Sequence, residues 1–160
     1  MSILPIKQNL KGFMTKKYST IDDCKIIELE NFNSERKGNL TPVYNNVHIP
    51  FDIDRIYYLY DIPSGVDRGG HAHKELEQLM VAVSGSFNVV LNDGEIEKTF
   101  VLNRPFLGLY IPKMIWRKLT DFSGGSICLV LASNKYDSND YLHDFDSFSI
   151  YRQSIINNKV

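Results

Sequence analysis

The chain has 160 residues, of which 43% are hydrophobic and 23% charged, and a net charge of -1. That length suffices for one domain with a real core, and the near-neutral balance excludes a nucleic-acid binder held by a basic surface. No apolar run is long enough to span a membrane, and Cys24 and Cys128 lack metal-type spacing and read as reduced core thiols.

Residues 1–20 carry Lys7, Lys11, Lys16 and Lys17 without a secretory apolar core. They read as a mobile N-terminal arm or extension rather than a signal peptide, and a cytoplasmic protein is expected. Residues 24–29 and 40–44 are predicted strands, with Arg36-Lys37-Gly38-Asn39 between them. Residues 55–61, rich in Tyr and Ile, form the next strand, broken by Pro63-Ser64-Gly65. Residues 78–83 are apolar, and Ser84-Gly85-Ser86 turns the chain. Phe87, Val89 and Leu91 alternate with Asn88 and Asn92, as on a half-buried strand. Asn92-Asp93-Gly94 is a hairpin signal, and 95–102 returns until Asn103-Arg104-Pro105. Residues 107–111, 115–119 and 127–132 are further strands, the last two separated by Ser123-Gly124-Gly125-Ser126. Strands at roughly ten-residue spacing predict a sandwich or barrel. Beyond Ser133, Tyr136, Tyr141, Phe145 and Phe148 lie among Asp137, Asp140, Asp144 and Asp146. This predicts a short helical or irregular tail whose aromatics cover the barrel and whose acids cap or face water. No Gly-rich loop opens a helix, so P-loop and Rossmann folds are excluded.

The chemistry concentrates in Arg68-Gly69-Gly70-His71-Ala72-His73. On a strand, residues two apart share a face, so His71 and His73 project side by side. Paired imidazoles bind metal or move protons near neutral pH. Metal-binding members of the jelly-roll cupin architecture resemble this stretch, with a Glu four residues after the second His, here Glu77. Their fourth ligand is a His five residues after a proline, and here Pro112 is followed at that spacing by Arg117. A guanidinium has no lone pair for a metal, so a site without metal is expected. Two glycines let backbone approach a ligand closely, and Arg68 beside them suits a phosphate or carboxylate.

A more specific likeness follows from several motifs together. Arg55-Ile56-Tyr57-Tyr58, Arg68-Gly69-Gly70-His71-Ala72-His73-Lys74, Glu77-Gln78, Val83-Ser84-Gly85-Ser86, Asp93-Gly94, Gly108-Leu109-Tyr110-Ile111-Pro112, Ile115-Trp116-Arg117 and Leu131-Ala132-Ser133 resemble the dTDP-sugar 3,4-ketoisomerases. The likeness covers roughly residues 20–150. It implies an all-β cupin domain over 21–160, a jelly-roll β-barrel, and a homodimer with exchanged strands. It also implies a dTDP-linked 4-keto-6-deoxyhexose at the barrel mouth and a 3-keto product destined, after amination and acylation, for surface polysaccharide.

Moving a ketone from C4 to C3 is a tautomerisation through an enediol, which calls for no redox cofactor and no metal. Adjacent histidines suit it: His71 is assigned as base and His73 as shuttle or acid, an order that spacing leaves open. Tyr57 is the candidate hydroxyl on a neighbouring strand. Arg68 and Arg117 are candidates to hold the diphosphate or polarise the sugar oxygens, and Glu77 to orient a histidine or Arg68. Lys37 and Arg117 stand where members of the family differ, which leaves the C4 configuration of the product open. A dTDP-sugar 3,5-epimerase and a cupin that binds nucleotide sugar without turnover are the alternatives.

Overall fold

The computed structural model describes residues 18–157. In chain order its strands are β1 (Lys25–Glu28), β2 (Phe32–Ser34), β3 (Gly38–Leu40), β4 (Arg55–Leu59), β5 (Arg68–His73), β6 (Gln78–Ser84), β7 (Phe87–Asn92), β8 (Glu97–Leu102), β9 (Leu107–Ile111), β10 (Trp116–Thr120), β11 (Ile127–Ala132) and β12 (Tyr141–Leu142). Helix α1 (Phe145–Asn157) follows, and single 3-10 turns occur at Ile21–Asp23 and Ser138–Asp140. One sheet has the order β1-β9-β6-β11-β4 and the other β12-β5-β10-β7-β8, while β2 and β3 form a separate ribbon. The architecture is the expected all-β jelly roll with a partly helical tail.

Alternation explains how the sheets face one another. Met80, Ala82, Leu109, Ile111, Cys128 and Val130 of the first sheet share one buried cluster with Phe87, Val89, Leu91, Leu102 and Leu119 of the second. Burying each large aliphatic or aromatic side chain contributes about 1.5–3 kcal/mol, so this cluster is the main support of the barrel. The intervening residues Leu79 and Val81 point the other way and join Ile27, Leu29, Ile49, Phe51, Tyr110 and Leu131. Both faces of β6 are therefore covered, which is why it reads as an unbroken apolar run. On the outside of the second sheet, Phe148 of α1 packs with Ala72 and Met114. Buried Arg152 donates from the same helix to the Met114 carbonyl at 3.0 Å.

Two local expectations change. The strand placed at 40–44 begins and ends earlier, as β3, and pairs with β2 so that Phe32 faces Leu40. Gly38 takes φ +79°, a conformation that costs glycine little, and this starts the return strand at once after Lys37. The hairpin at Asn92-Asp93-Gly94 forms, but its connection spans residues 93–96. There the Asp93 carboxylate accepts from the backbone N–H groups of Glu95, Ile96 and Ile21 at 3.0, 2.9 and 2.8 Å. A carboxylate collar replaces the tight two-residue turn.

Cys24 and Cys128 are free and buried, and burial pushes both thiols up to about 12. The expected arm at 1–20 lies outside the described residues as far as residue 17. Among the described residues no helix is long and apolar enough to cross a membrane.

Candidate active site

β5 and β10 run antiparallel with His71 opposite Arg117, and the register shifts between Arg117 and Lys118. Gly69 sits at the irregularity with φ +86°, and a Cβ there would lie 3.1 Å from the Arg117 carbonyl oxygen. Its missing side chain thus lets β5 approach β10, rather than chiefly letting a ligand approach β5. The result is that His71 and Arg117 both face the barrel interior.

At this end of the barrel a cavity of about 510 Å³ opens, its wall including Arg55, Tyr57, Arg68, His71, Arg117 and Tyr141. The carboxylate on that wall, Asp67, is paired with Lys118 at 2.6 Å. Three arginines without a matching acid give the cavity a positive field suited to a diphosphate or a developing oxyanion.

Arg117 is wholly buried. It donates from Nη1 to Gln78 Oε1 at 2.7 Å and from Nη2 to the Ile115 carbonyl at 2.8 Å, while its Nε has no hydrogen-bond partner among the described residues. Burial lowers its pKa to about 10, so it stays a cation at neutral pH. Gln78 Nε2 in turn donates to the Tyr57 hydroxyl oxygen at 3.0 Å. That leaves the Tyr57 proton free to be given elsewhere, and burial holds its pKa above the usual phenol range.

Burial, and then the Arg117 charge, lower His71 to about 3, against a hydrogen bond to the Gly69 backbone that works the other way. His73 is pushed down by the same two causes in the same order. Both imidazoles are therefore neutral, with a nitrogen lone pair each. Their rings meet edge-on with centroids 5.0 Å apart, as residues two apart on one strand face should. His71 lines the cavity. His73 is fully buried behind it, with Nδ1 3.0 Å from the Asp140 carboxylate and the Tyr141 ring at 4.3 Å.

Two expected site residues lie elsewhere. Glu77 immediately precedes β6, and its carboxylate accepts from the Tyr110 hydroxyl at 2.7 Å. The pleat that sends Met80 and Ala82 inward sends Gln78 inward as well, so Gln78 occupies the place assigned to Glu77. Lys37 is an exposed residue of the β2–β3 turn and does not line the cavity. Counting by twos from the apolar core identifies Gln78 from sequence, and Arg55 and Tyr57 share a face of β4 by the same rule. The residues do not fit a divalent ion. Glu77 faces away, and the place of the fourth ligand holds a cation; among the described residues no group of three or more His, Cys, Asp or Glu is placed to hold a metal.

The family model FdtA, described as WxcM-like, C-terminal, matches residues 22–153. The chain belongs to the FdtA family. It is 40% identical over 127 residues to the TDP-4-oxo-6-deoxy-alpha-D-glucose-3,4-oxoisomerase of Aneurinibacillus thermoaerophilus, covering 79% of this chain and 91% of that one. The crystal structure of a 3,4-ketoisomerase from Helicobacter canadensis superposes with a TM-score of 0.79 at 46% identity, over 82% of this chain and 98% of that one. A histidine-to-asparagine variant of the 3,4-ketoisomerase from Thermoanaerobacterium thermosaccharolyticum, in complex with TDP-4-keto-6-deoxyglucose, superposes with a TM-score of 0.81 at 34% identity. That match covers 84% of this chain and 97% of that one.

The depressed histidines give this FdtA-family protein an acid-sensitive fold. Below the ordinary value of 6.5 the unfolded chain takes up protons that folded His71 and His73 do not. The contribution of these two histidines to stability is therefore full above pH 6.5 and falls as the pH drops from there toward about 3, the value for His71. Thermal melts across that window are expected to show a falling Tm, with a shallower slope for His71→Gln than for the native chain. Equal slopes would mean that folded His71 titrates normally.

Proposed function

We propose that the protein moves the ketone of a TDP-linked 4-keto-6-deoxyhexose from C4 to C3. The observation that carries this is a neutral imidazole, His71, and a phenol with a free proton, Tyr57, on the wall of one cation-lined cavity. Relatives named as 3,4-ketoisomerases, one of them in complex with TDP-4-keto-6-deoxyglucose, support the same substrate.

The steps balance without a third reactant. The C3 proton is acidified by the adjacent C4 carbonyl, and His71 takes it while Tyr57 gives its proton to the C4 oxygen. The product of this step is a neutral enediol, with an imidazolium at His71 and a phenolate at Tyr57. His71 then returns its proton to C4, and the C3 hydroxyl proton passes to Tyr57 as the C3 carbonyl forms. His73, whose Nε2 is buried without a hydrogen-bond partner among the described residues, stays a candidate beside Tyr57 for this oxygen-to-oxygen relay. Arg117, opposite His71, offsets negative charge on the sugar oxygens and on the phenolate. Arg68 and Arg55 suit the diphosphate.

A cytoplasmic homodimer goes with this function. Ile56 and Tyr58, exposed by 60% and 61%, form an apolar stripe on the edge strand β4, and such edges are normally covered. The expected exchange of strands rests on the family likeness; within the single chain β1 pairs with β9.

Incubation with TDP-4-keto-6-deoxyglucose in deuterated water, followed by NMR, tests the assignment. The expected product has its carbonyl at C3 and its C5 proton intact. Exchange at C5 with the ketone still at C4 would indicate a 3,5-epimerase, and binding without any exchange a non-catalytic cupin.

A further inference from the structure

Gln78 is wholly buried at the start of β6 and does not line the cavity. It lies between two residues that do. Arg117 Nη1 donates to Gln78 Oε1 at 2.7 Å, and Gln78 Nε2 donates to the Tyr57 hydroxyl oxygen at 3.0 Å. Chemistry fixes the direction of this chain. A guanidinium only donates, so the amide must present its oxygen to Arg117 and its NH2 to Tyr57. Turned over, it would set NH2 against guanidinium. A phenolic oxygen both donates and accepts. The amide N–H takes the accepting position, so the Tyr57 proton points away from Gln78.

That polarity has a consequence in the reaction. When Tyr57 gives up its proton it becomes a phenolate, and the same N–H is already aimed at the charged oxygen. A hydrogen bond to an ion is roughly twice as strong as one between neutral groups, and this one needs no reorganisation to form. The Arg117 charge at the far end of the amide polarises it in the favourable sense. A carboxylate at position 78 would do the reverse: it would offset the Arg117 charge and accept the Tyr57 proton itself. We infer that Gln78 is a positioning residue for the isomerisation: its amide, locked by Arg117, keeps the Tyr57 hydroxyl a proton donor to the cavity and then holds the phenolate. This rests on Tyr57 being the group that protonates the C4 oxygen.

Two variants probe the amide. Gln78→Glu keeps the shape of the side chain and its bond to Arg117, and Gln78→Met keeps the length and removes both hydrogen bonds. 13C NMR of protein labelled at tyrosine Cζ, without substrate, follows the Tyr57 titration, assigned by its absence from Tyr57→Phe. Both variants are expected to move that titration upward. Turnover is expected to fall about 10²-fold in each, with KM little changed because Gln78 is off the wall. In a Tyr57→Phe background, adding Gln78→Met is expected to cost nothing further. An unmoved titration, near-native turnover in either variant, or additive losses in the double variant would each overturn the inference. The titration is read without turnover, so the two readings fail separately. A native protein without isomerase activity would overturn the assigned reaction, whereas normal turnover with a titration that ignores position 78 would overturn the role of Gln78 alone.

Discussion

Replacing His71 by Asn is expected to lower turnover by about 10²–10⁴-fold, the range general acid–base groups contribute. The fold and the affinity for TDP should persist. His71 is at the cavity wall and belongs to none of the hydrophobic clusters that hold the sheets, so its loss removes chemistry rather than packing. Its pKa of about 3 means that the native base is unprotonated throughout the neutral range. The rate should therefore not decline as the pH is lowered through 6.5, where an ordinary histidine would switch off. Progress curves by NMR and calorimetric titration with TDP measure the two halves. Near-native turnover in the variant would place the base elsewhere.

Arg117→Met is expected to separate activity from stability. The native guanidinium is wholly buried, hydrogen-bonded to an amide and a carbonyl but to no carboxylate. An unpaired buried ion costs several kcal/mol, so an apolar side chain of similar length should leave the protein no less stable, despite two lost hydrogen bonds. Turnover should nonetheless fall by about 10²–10³-fold, as when one preorganised oxyanion donor is removed. Arg117 also depresses both histidines, so its removal should move the His71 titration upward. Thermal melts, rates and an NMR titration of His71 check the three parts. A variant that melts lower but turns over normally would make Arg117 a core residue without a catalytic part.

Much of this was legible in the sequence because period and punctuation agree. The strand at 127–132 lies between a Ser-Gly-Gly-Ser loop and a polar tail, and β11 has those bounds. His71 and His73 share a face because a strand forces residues two apart to do so. Glu77 was misplaced for the opposite reason: spacing borrowed from metal-binding cupins overrode the pleat, which sends Gln78 inward. The β2–β3 ribbon was obscured because its strands are three residues long and exposed throughout, so no apolar alternation marks them. Asp140 had no local signal. It meets His73 across 67 residues of chain, and an acid in an irregular tail looks the same whether it caps a turn or holds a histidine.

The tail also fixes the order in which the site is completed. β12 lies along β5, pairing Tyr141 with His73 and Leu142 with Ala72, and beyond it in that sheet comes β10. A nascent chain that has emerged as far as Ala132 holds β1 to β11, the strands that enclose the core. It lacks Asp140 and Tyr141, and the backbone of β5 that carries both histidines is an open edge. Unpaired edges are where immature chains join one another. Synthesis of the last turn of tail before α1 therefore does two things in one step: it seals one open edge of the newborn barrel, and it sets in place the groups around the histidine pair.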